Sequence, residues 1–264
     1  MSSKLHSFQF GTSRLMAISD GAFPVSKDFF FANTPEDIIH HIPSNFIAPL
    51  NFLLIDTGDK NILVDAGFGE SHLPIAGKLL SHLETHGIYP EDIHSVIITH
   101  GHMDHIGGLS NNGRPTFPNA EYIMRRDEWD LWKSNPKSNE YKKLMPLKDY
   151  MTLITSDTEI VPGIRLVHTP GHTVGHLSLS VSSEGKYLLV ASDILNDPTT
   201  LQHLPSHIRA EMSPKQGLET RRSFLQDAID KSALLFVCHY PFPGFGHIAK
   251  EDLRWKWIPL AEDL

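Results

Sequence analysis

The hydrophobic positions of the chain fall mainly into short runs rich in Val, Ile and Leu, separated by polar and Gly- or Pro-containing turns. Short apolar runs bounded by turn signals are typical of buried strands. The strands predicted from these runs lie at about 8–18, 51–55, 61–65, 95–98, 121–124, 151–155, 164–168, 177–181, 187–191 and 234–238. The second and third of these runs flank a polar turn and form a predicted hairpin.

Three segments between the strands have the spacing of amphipathic helices. Residues 74–86 place apolar side chains on one face, and residues 214–231 follow a Ser-Pro pair that is typical of a helix start. A third helix follows the strand at 121–124 and carries Trp129 and Trp132 three residues apart on one face. Runs of strands with helical segments on either side indicate two sheets with helices outside them.

Two stretches follow neither period. Residues 133–143 are polar and are interpreted as a solvated surface segment. Residues 22–49 contain Phe29, Phe30 and Phe31, and two interpretations are equally open: a connecting loop whose aromatics pack on the core, or a loop that covers a pocket or contacts a second subunit. Because three consecutive phenyl rings are too apolar to leave in water, we predict contact with the pocket mouth or with a symmetric partner in a homodimer.

Composition narrows the class of protein. The 264 residues are 40% hydrophobic and 20% charged, as expected of a globular protein, and we interpret 1–264 as one domain. A net charge of −8 argues against nucleic-acid and anionic-membrane partners. The single cysteine, Cys238, excludes an intrachain disulfide, and neither a signal peptide nor a membrane span is apparent. We therefore expect a cytoplasmic protein.

Candidate chemistry is concentrated directly after the strand at 95–98. His100 and His102 are two residues apart and share one side of an extended segment, whereas Asp104 and His105 follow after the chain has turned. Imidazole and carboxylate groups are ligands that zinc and similar divalent ions prefer. This stretch alone predicts a metal site at a strand end.

The pattern HxHxDH at 100–105 resembles the metal motif of the metallo-β-lactamase superfamily. Three further stretches match that family's pattern, and each lies directly beyond a predicted strand: Thr-Pro-Gly-His ending at His172, Ala-Ser-Asp ending at Asp193, and Val-Cys-His ending at His239. The resemblance implies an α/β fold, the four-layer αββα sandwich, which periodicity alone does not establish.

The resemblance also implies two divalent ions, with zinc as the first choice and manganese, iron or cobalt as alternatives. It implies that His100, His102 and His172 bind one ion, that Asp104, His105 and His239 bind the other, and that Asp193 bridges them. A hydroxide between the ions would be the nucleophile. Asp104 and Asp193 are therefore the candidate catalytic residues.

The remaining candidates have weaker signals. We expect His176 to pack beside the ligands, His168 to be structural and Cys238 to pack inward, while His203 and His207 stay unassigned. His247 follows the last ligand in a Gly- and Pro-rich loop, so it is a candidate for contact with substrate. The predicted substrate-binding residues are Phe30, Trp129, Leu195, Phe245 and His247.

Asp193 separates the chain from the true β-lactamases, which by resemblance usually lack a bridging carboxylate at this place. The chain is similar instead to the lactonase, glyoxalase II-like and organophosphate-hydrolase branches. Residues 211–214 and 239–247 resemble the methyl parathion hydrolase branch. One departure stands out. Quorum-quenching lactonases typically have a Tyr shortly after the bridging Asp, whereas this chain has Ile194, Leu195 and Asn196.

A pair of metal ions activates attack on carbonyl and phosphoryl centres alike, so substrate choice depends on the pocket walls. The wall candidates are mostly apolar, and no cluster of Arg and Lys lies near the motifs. We therefore predict hydrolysis of neutral hydrophobic lactones or aryl esters, with phosphotriester hydrolysis as a side activity. The alternatives are a glyoxalase II-type thioesterase and, from a different class, a di-iron redox module, which normally has a flavin-binding partner domain.

Overall fold

The strands of the protein form two seven-stranded sheets and one small hairpin. A computed structural model describes residues 4–70, 73–251 and 254–260. Within these ranges the strands are β1 (Leu5–Phe10), β2 (Ser13–Ser26), β3 (Asn45–Asp56), β4 (Asn61–Val64), β5 (Ser95–Ile97), β6 (Ser110–Asn111), β7 (Arg114–Pro115), β8 (Glu121–Arg125), β9 (Met151–Ile154), β10 (Thr158–Val161), β11 (Ile164–His168), β12 (Leu177–Ser183), β13 (Lys186–Val190), β14 (Leu234–Phe236), β15 (Phe245–Glu251) and β16 (Arg254–Pro259).

Each large sheet is mixed, with both antiparallel and parallel pairs of strands. The first has the order β1-β2-β3-β4-β5-β8-β9, antiparallel up to β4 and parallel from there on. The second runs β10-β11-β12-β13-β14-β15-β16, and only β13 and β14 are parallel. Parallel neighbours end at the same edge of a sheet, so the chain leaves β4, β5 and β8 on one side of the molecule.

The helices lie outside the paired sheets. Within the described part of the chain they are α1 (Lys27–Phe30), α2 (Glu36–Ile39), α3 (Leu79–Thr85), α4 (Met103–Ile106), α5 (Arg126–Lys133), α6 (Asn139–Leu144) and α7 (Pro214–Asp230). Short 3-10 segments occur at Pro90–Asp92, Met145–Tyr150, Ser192–Ile194 and Pro198–Gln202. None of the helices within these ranges is long and apolar enough to cross a bilayer.

Both faces of each sheet are buried. Along β4, Ile62 and Val64 face the second sheet, while Leu63 packs with the helices on the outer side. On the far side, Leu235 of β14 packs against Leu225 of α7. The order of layers is therefore helix, sheet, sheet, helix, and the predicted αββα sandwich is confirmed. The core shared by both sheets supports the interpretation of 1–264 as one domain, which stays a prediction.

The stretch 22–49 is more regular than the sequence indicated. Strands β2 and β3 extend into it as a long antiparallel arm, and α1 and α2 lie between them. Phe30 and Phe31 are buried there with Ile39, Ile42, Ala48 and Ile208. The phenyl rings thus bury each other in a small cluster of their own, which explains why neither the helix nor the strand period was visible.

Several predicted boundaries are wrong, each for a local reason. The helix expected at 74–86 begins only at Leu79, because Gly77 has φ +74° and the preceding turn bonds to Asp20. The strand expected at 8–18 is a hairpin of two strands, and the polar segment 133–143 contains the start of α6, whose Leu144 is buried. Strands β10, β15 and β16 were not predicted, because their apolar residues are too interspersed with polar ones.

Asp20 fastens the turn before α3. Its fully buried carboxylate accepts hydrogen bonds from the backbone N–H groups of Phe68, Gly77 and Leu79 at 3.1, 3.2 and 2.8 Å. Burial nevertheless raises the pKa of Asp20 to about 6, because three amides do not replace the hydration of the charge. This carboxyl is therefore more basic in the folded than in the unfolded chain.

A pH dependence of stability follows from that difference. The contribution of Asp20 is fully present below the unfolded pKa of 3.8 and is lost as the pH rises through about 6. With about 1.4 kcal/mol per pKa unit, the loss is on the order of 3 kcal/mol. We expect the free energy of unfolding of Asp20→Asn, relative to wild type, to rise by about that amount between pH 4 and pH 7 in urea titrations with chelator present. A difference that stays constant over this range would contradict the assignment.

Candidate metal centre

Four segments of the chain bring imidazoles and carboxylates together at one edge of the sandwich. His100, His102, Asp104 and His105 follow β5 and enter α4, and His172 lies in the loop between β11 and β12. Asp193 follows β13, and His239 follows β14. Because β13 and β14 are parallel, their following residues emerge on the same side. All seven residues selected from the sequence lie in this cluster.

A first group of ligand atoms surrounds one point. The Nδ1 atom of His102 lies 3.2 Å from Nε2 of His100 and 2.9 Å from Nε2 of His172. The Oδ2 atom of Asp193 lies 3.3 Å from Nε2 of His172 and 3.8 Å from Nε2 of His100. These four residues form one compact candidate site.

A second group surrounds the other oxygen of Asp193. Its Oδ1 atom lies 3.1 Å from Nε2 of His105 and 3.4 Å from Nε2 of His239. The Oδ2 atom of Asp104 lies 3.7 and 3.6 Å from the same two nitrogens. Asp193 therefore contributes one carboxylate oxygen to each group, which is the geometry of a bridging ligand.

The donor sets fit divalent cations. Ligands about 2.1 Å from a tetrahedral zinc ion stand about 3.4 Å apart, which matches the spacing of both groups. Two further observations indicate that a cation belongs between these atoms. In the first group, two imidazole nitrogens lie only 2.9 Å apart. In the second group, the buried Nε2 atom of His105 has no hydrogen-bond partner. The residues present therefore fit two ions.

The two groups differ electrostatically. Burial and the charge of His105 hold the pKa of His100 well below its usual range, which leaves a neutral imidazole with a free lone pair. For His105, burial would lower the pKa, but the charges of Asp193, Asp104 and Asp65 outweigh it and raise the pKa well above its usual range. The carboxylates thus create a negative potential at the second group that a positive charge must balance.

Other residues orient the ligand rings from outside, and sequence reasoning missed them. Asp65, fully buried after β4, lies 2.8 Å from Nδ1 of His105 and accepts hydrogen bonds from the backbone N–H and the hydroxyl of Thr99 at 2.8 and 2.7 Å. Nδ1 of His239 lies 3.0 Å from the carbonyl oxygen of Pro49. Such partners fix the tautomer and direction of a ligating imidazole. An acidic residue at a strand end was the available signal for Asp65.

Two further buried side chains, His176 and Cys238, contact Asp193. Nε2 of His176 accepts the backbone N–H of Asp193 at 3.3 Å, and its Nδ1 lies 2.9 Å from the hydroxyl of Thr169. The thiol of Cys238 donates to Oδ1 of Asp193 at 3.3 Å, and burial raises its pKa to about 12. Its Sγ atom lies with the ligand atoms of His105, Asp193 and His239, within 4.8 Å of each. Both side chains are buried, in line with the expectation that His176 packs beside the ligands and Cys238 packs inward.

The cluster opens into a cavity of about 230 Å³ with mostly apolar walls. Apart from four residues of the cluster, the lining within the described part of the chain consists of Phe23, Phe29, Phe30, Phe68, Met103, Ile208 and Ala210. The arm of β2 and β3 with α1 supplies the first three. The rest come from the loop after β4, from the start of α4 and from the loop before α7. No Lys or Arg belongs to this lining.

The structure places the expected substrate-binding residues in different parts of the fold. Phe30 lines the cavity as expected, with its ring 5.8 Å from that of His239. Three others are core residues instead. Leu195 packs beneath α7. Trp129 packs on the buried side of α5, to which it belongs, and Phe245 packs between the two sheets. Each of these three side chains points into a layer of the sandwich and not toward the edge at which the cluster lies, so the structure does not bring them to the cavity.

His247, also expected to contact substrate, lies away from the cluster and from the cavity lining. The loop after His239 turns back into β15, which is antiparallel to β14. His247 therefore lies beside the start of β14, at the edge of the sheet opposite the cluster. There Nδ1 of His247 lies 3.0 Å from the carbonyl oxygen of Ala233. A hairpin return carries a residue away from the edge at which the previous strand ended.

Comparison with known proteins agrees with this geometry. Residues 49–239 match the profile of the family described as the Metallo-beta-lactamase superfamily. The chain belongs to this superfamily. An N-acyl homoserine lactonase from Bacillus sp is 34% identical over 234 residues, which cover 80% of this chain and 86% of that protein. The Bacillus cereus N-acyl homoserine lactonase is 31% identical over 239 residues, 82% of this chain and 88% of that protein.

Solved structures show the same superfamily fold. AidC, a dizinc quorum-quenching lactonase in complex with a product, has a TM-score of 0.90 at 23% identity over 98% of both chains. The hydrolase AbOPH of the beta lactamase superfamily has a TM-score of 0.90 at 24% identity over 99% of both chains. The predicted family, fold and class of metal-dependent hydrolase are thereby confirmed, and the cluster is a His and Asp site of the dinuclear type.

Proposed function

We propose that this superfamily member hydrolyses neutral, hydrophobic lactones, with N-acyl homoserine lactones as the first class to test and aryl esters as the next. One observation carries the proposal: two His and Asp groups that share Asp193 open into a cavity whose remaining walls are apolar. The lactonase relatives, at more than 30% identity over four fifths of the chain, support the choice of lactones.

In this proposal His100, His102 and His172 bind one ion, and Asp104, His105 and His239 bind the other, with Asp193 between them. When bound, such an ion pair lowers the pKa of water and polarises a carbonyl oxygen. The protein holds the two groups next to each other through Asp193. Asp65 orients the imidazole of His105, and the carbonyl oxygen of Pro49 orients that of His239. The phenyl rings of Phe23, Phe30 and Phe68 exclude bulk water from the cavity.

The walls determine the class of substrate in this proposal. An anionic substrate would need a cationic side chain to offset the loss of hydration, and the described cavity lining contains neither Lys nor Arg. An acyl chain gains only about 1–3 kcal/mol from an additional apolar contact, so we expect a graded preference for longer chains. Glutathione thioesters and β-lactams should be poor substrates for the same reason.

The test is a hydrolysis screen on zinc-loaded protein with acyl homoserine lactones of increasing chain length, aryl esters, neutral phosphotriesters and a glutathione thioester. We expect kcat/KM to rise with acyl length and to be lowest for the anionic thioester. Phe30→Leu should flatten the dependence on chain length, because this ring lines the cavity. Phe31→Leu is the matched control: Phe31 shares the same cluster but not the lining.

Two outcomes would contradict the proposal. One is faster hydrolysis of the glutathione thioester than of every neutral lactone and ester, which would favour the glyoxalase II-type alternative. The other is a coloured di-iron centre without hydrolytic activity, which would favour the redox alternative. Phosphotriester hydrolysis enters the screen as a side activity of the same ions.

We also propose zinc as the metal, a homodimer as the assembly and the cytoplasm as the location. Zinc suits the His-rich donor set. The homodimer rests on Phe29, which remains 39% exposed at the cavity mouth although Phe30 and Phe31 are buried by their own chain. The cytoplasm rests on the single, buried cysteine.

A further inference from the structure

Glu128, in the first turn of α5, is a carboxylate with no solvent exposure that belongs neither to the ligand cluster nor to the cavity lining. Its Oε1 atom accepts hydrogen bonds from the backbone N–H of Gly101 at 2.9 Å and from the indole N–H of Trp132 at 2.7 Å. Its Oε2 atom accepts the backbone N–H of Gly175 at 3.0 Å. A buried carboxylate saturated in this way connects two separate loops.

Both loops carry ligands of the first group. Gly101 lies between His100 and His102, and Gly175 lies three residues after His172. The carboxylate therefore links the turn that presents two of the imidazoles to the loop that presents the third. The distance of 2.9 Å between Nδ1 of His102 and Nε2 of His172 depends on the relative position of these two segments.

Helix α5 packs closely against both loops at Gly101 and Gly175. A Cβ atom at Gly101 would overlap the indole of Trp132, and one at Gly175 would overlap the backbone nitrogen of Glu128. The ring of Trp132 in turn lies 5.9 Å from that of His102. Close contact through two glycines and two hydrogen-bonded side chains makes the helix a rigid support for the first group.

The second group is supported from elsewhere. Asp65 contacts His105, and the carbonyl oxygen of Pro49 contacts His239. The hydrogen bonds of Glu128 do not reach the loop of His239, and toward His105 they extend only to Gly101, four residues earlier in the chain. The rings of the second group are therefore held by Asp65 and Pro49, whereas Glu128 holds the backbone of both loops that carry the first group.

We propose that Glu128 is a positioning residue for one ion only: it sets the distance between the His100–His102 turn and the His172 loop, and with it the affinity of the first site. This inference rests on the ligand assignment in the proposed function. Loss of such a support typically lowers metal affinity by about 10- to 100-fold. The second site should keep its affinity.

The test measures Zn²⁺ affinity by competition with a chromogenic chelator in two parent variants. His239→Ala leaves the first group as the complete site, and His172→Ala leaves the second. We expect Glu128→Gln to raise the Kd for Zn²⁺ about 10- to 100-fold in the His239→Ala parent and less than about 3-fold in the His172→Ala parent. Glutamine keeps the length of the side chain, but its NH₂ group would face one of the N–H donors.

Asp130→Asn is the matched control, since Asp130 is an exposed acid on the same helix, and it should change neither Kd. Trp132→Phe is the second variant if Glu128→Gln does not fold. It keeps a ring against Gly101 but removes the indole N–H from Glu128, and it should weaken only the first site, by about 3-fold or more.

Equal losses in both parents would mean general destabilisation and would overturn the inference, as would an unchanged Kd in the His239→Ala parent. If the wild-type chain bound no Zn²⁺ at all, the proposed ligand set would be wrong, and this inference with it. Binding of two ions by the wild type with no selective loss would overturn this inference alone.

Discussion

Asp193→Ala is expected to remove both metal ions and to lower kcat/KM by on the order of 10³-fold or more, because ion pairs of this type contribute several kcal/mol to transition-state stabilisation. The reason is geometric: Oδ2 lies 3.3 Å from Nε2 of His172, and Oδ1 lies 3.1 Å from Nε2 of His105. Elemental analysis after exhaustive gel filtration measures the ions, and the lactone assay measures the turnover.

His176→Ala is the control for this variant. It removes another buried imidazole within hydrogen-bond distance of the same aspartate but no ligand atom, so we expect close to two ions per chain with zinc in excess. Loss of the partner of the Asp193 N–H should still lower stability by about 1–3 kcal/mol. Two ions and normal turnover in Asp193→Ala would show that the bridging assignment is wrong.

Arg221→Ala is expected to lower the free energy of unfolding by about 3–5 kcal/mol, because it leaves the buried carboxylate of Glu211 without its counter-charge. Arg221 of α7 donates to Glu211 through two nitrogens at 2.8 and 3.0 Å, and its Nε donates to the carbonyl oxygen of Leu204 at 3.2 Å. Urea unfolding measures the effect. These hydrogen bonds attach residues 204–211 to α7, and this segment contains Ile208 and Ala210 of the cavity lining.

A double variant separates the ion pair from simple loss of packing. Arg221→Met with Glu211→Leu replaces both charged groups by apolar side chains of similar length, and such replacements of buried pairs are often neutral or stabilising. We expect it to recover most of the stability that Arg221→Ala loses. A double variant as unstable as Arg221→Ala would show that the loss comes from packing around α7 and not from the unpaired carboxylate.

Local pattern in the sequence was sufficient for the framework of the site. Apolar runs such as 61–65, 95–98 and 234–238 are buried on both faces, which leaves a strong signal in a short window. The ligands follow these strands directly, so finding the strand ends also located His100, Asp193 and His239. The motifs, through their resemblance to a known family, then supplied the proposed grouping of the ligands, and all seven side chains lie together in the structure.

The cavity and the supports of the ligands depend on contacts between residues far apart in the chain. Phe23, Phe68 and Ile208 meet only because the arm of β2 and β3 folds over the edge of the sandwich. Leu195, Phe245 and His247 follow ligands closely in sequence, yet the layers and the β14–β15 hairpin direct them elsewhere. Proximity in sequence fixes where a backbone leaves a strand, but not the direction of the next side chains.

Glu128 and Asp65 illustrate the same limit. Each is an acidic residue near a strand end, and such residues are normally solvated. Only the folded chain brings Gly101, Gly175 and Trp132 around one carboxylate and His105 and Thr99 around the other. The sequence by itself determined which groups can bind metal, because that is a property of side-chain chemistry at strand ends. The tertiary structure decided how those groups are held and what lies in front of them, because burial and hydrogen bonding between distant segments are properties of the packed chain.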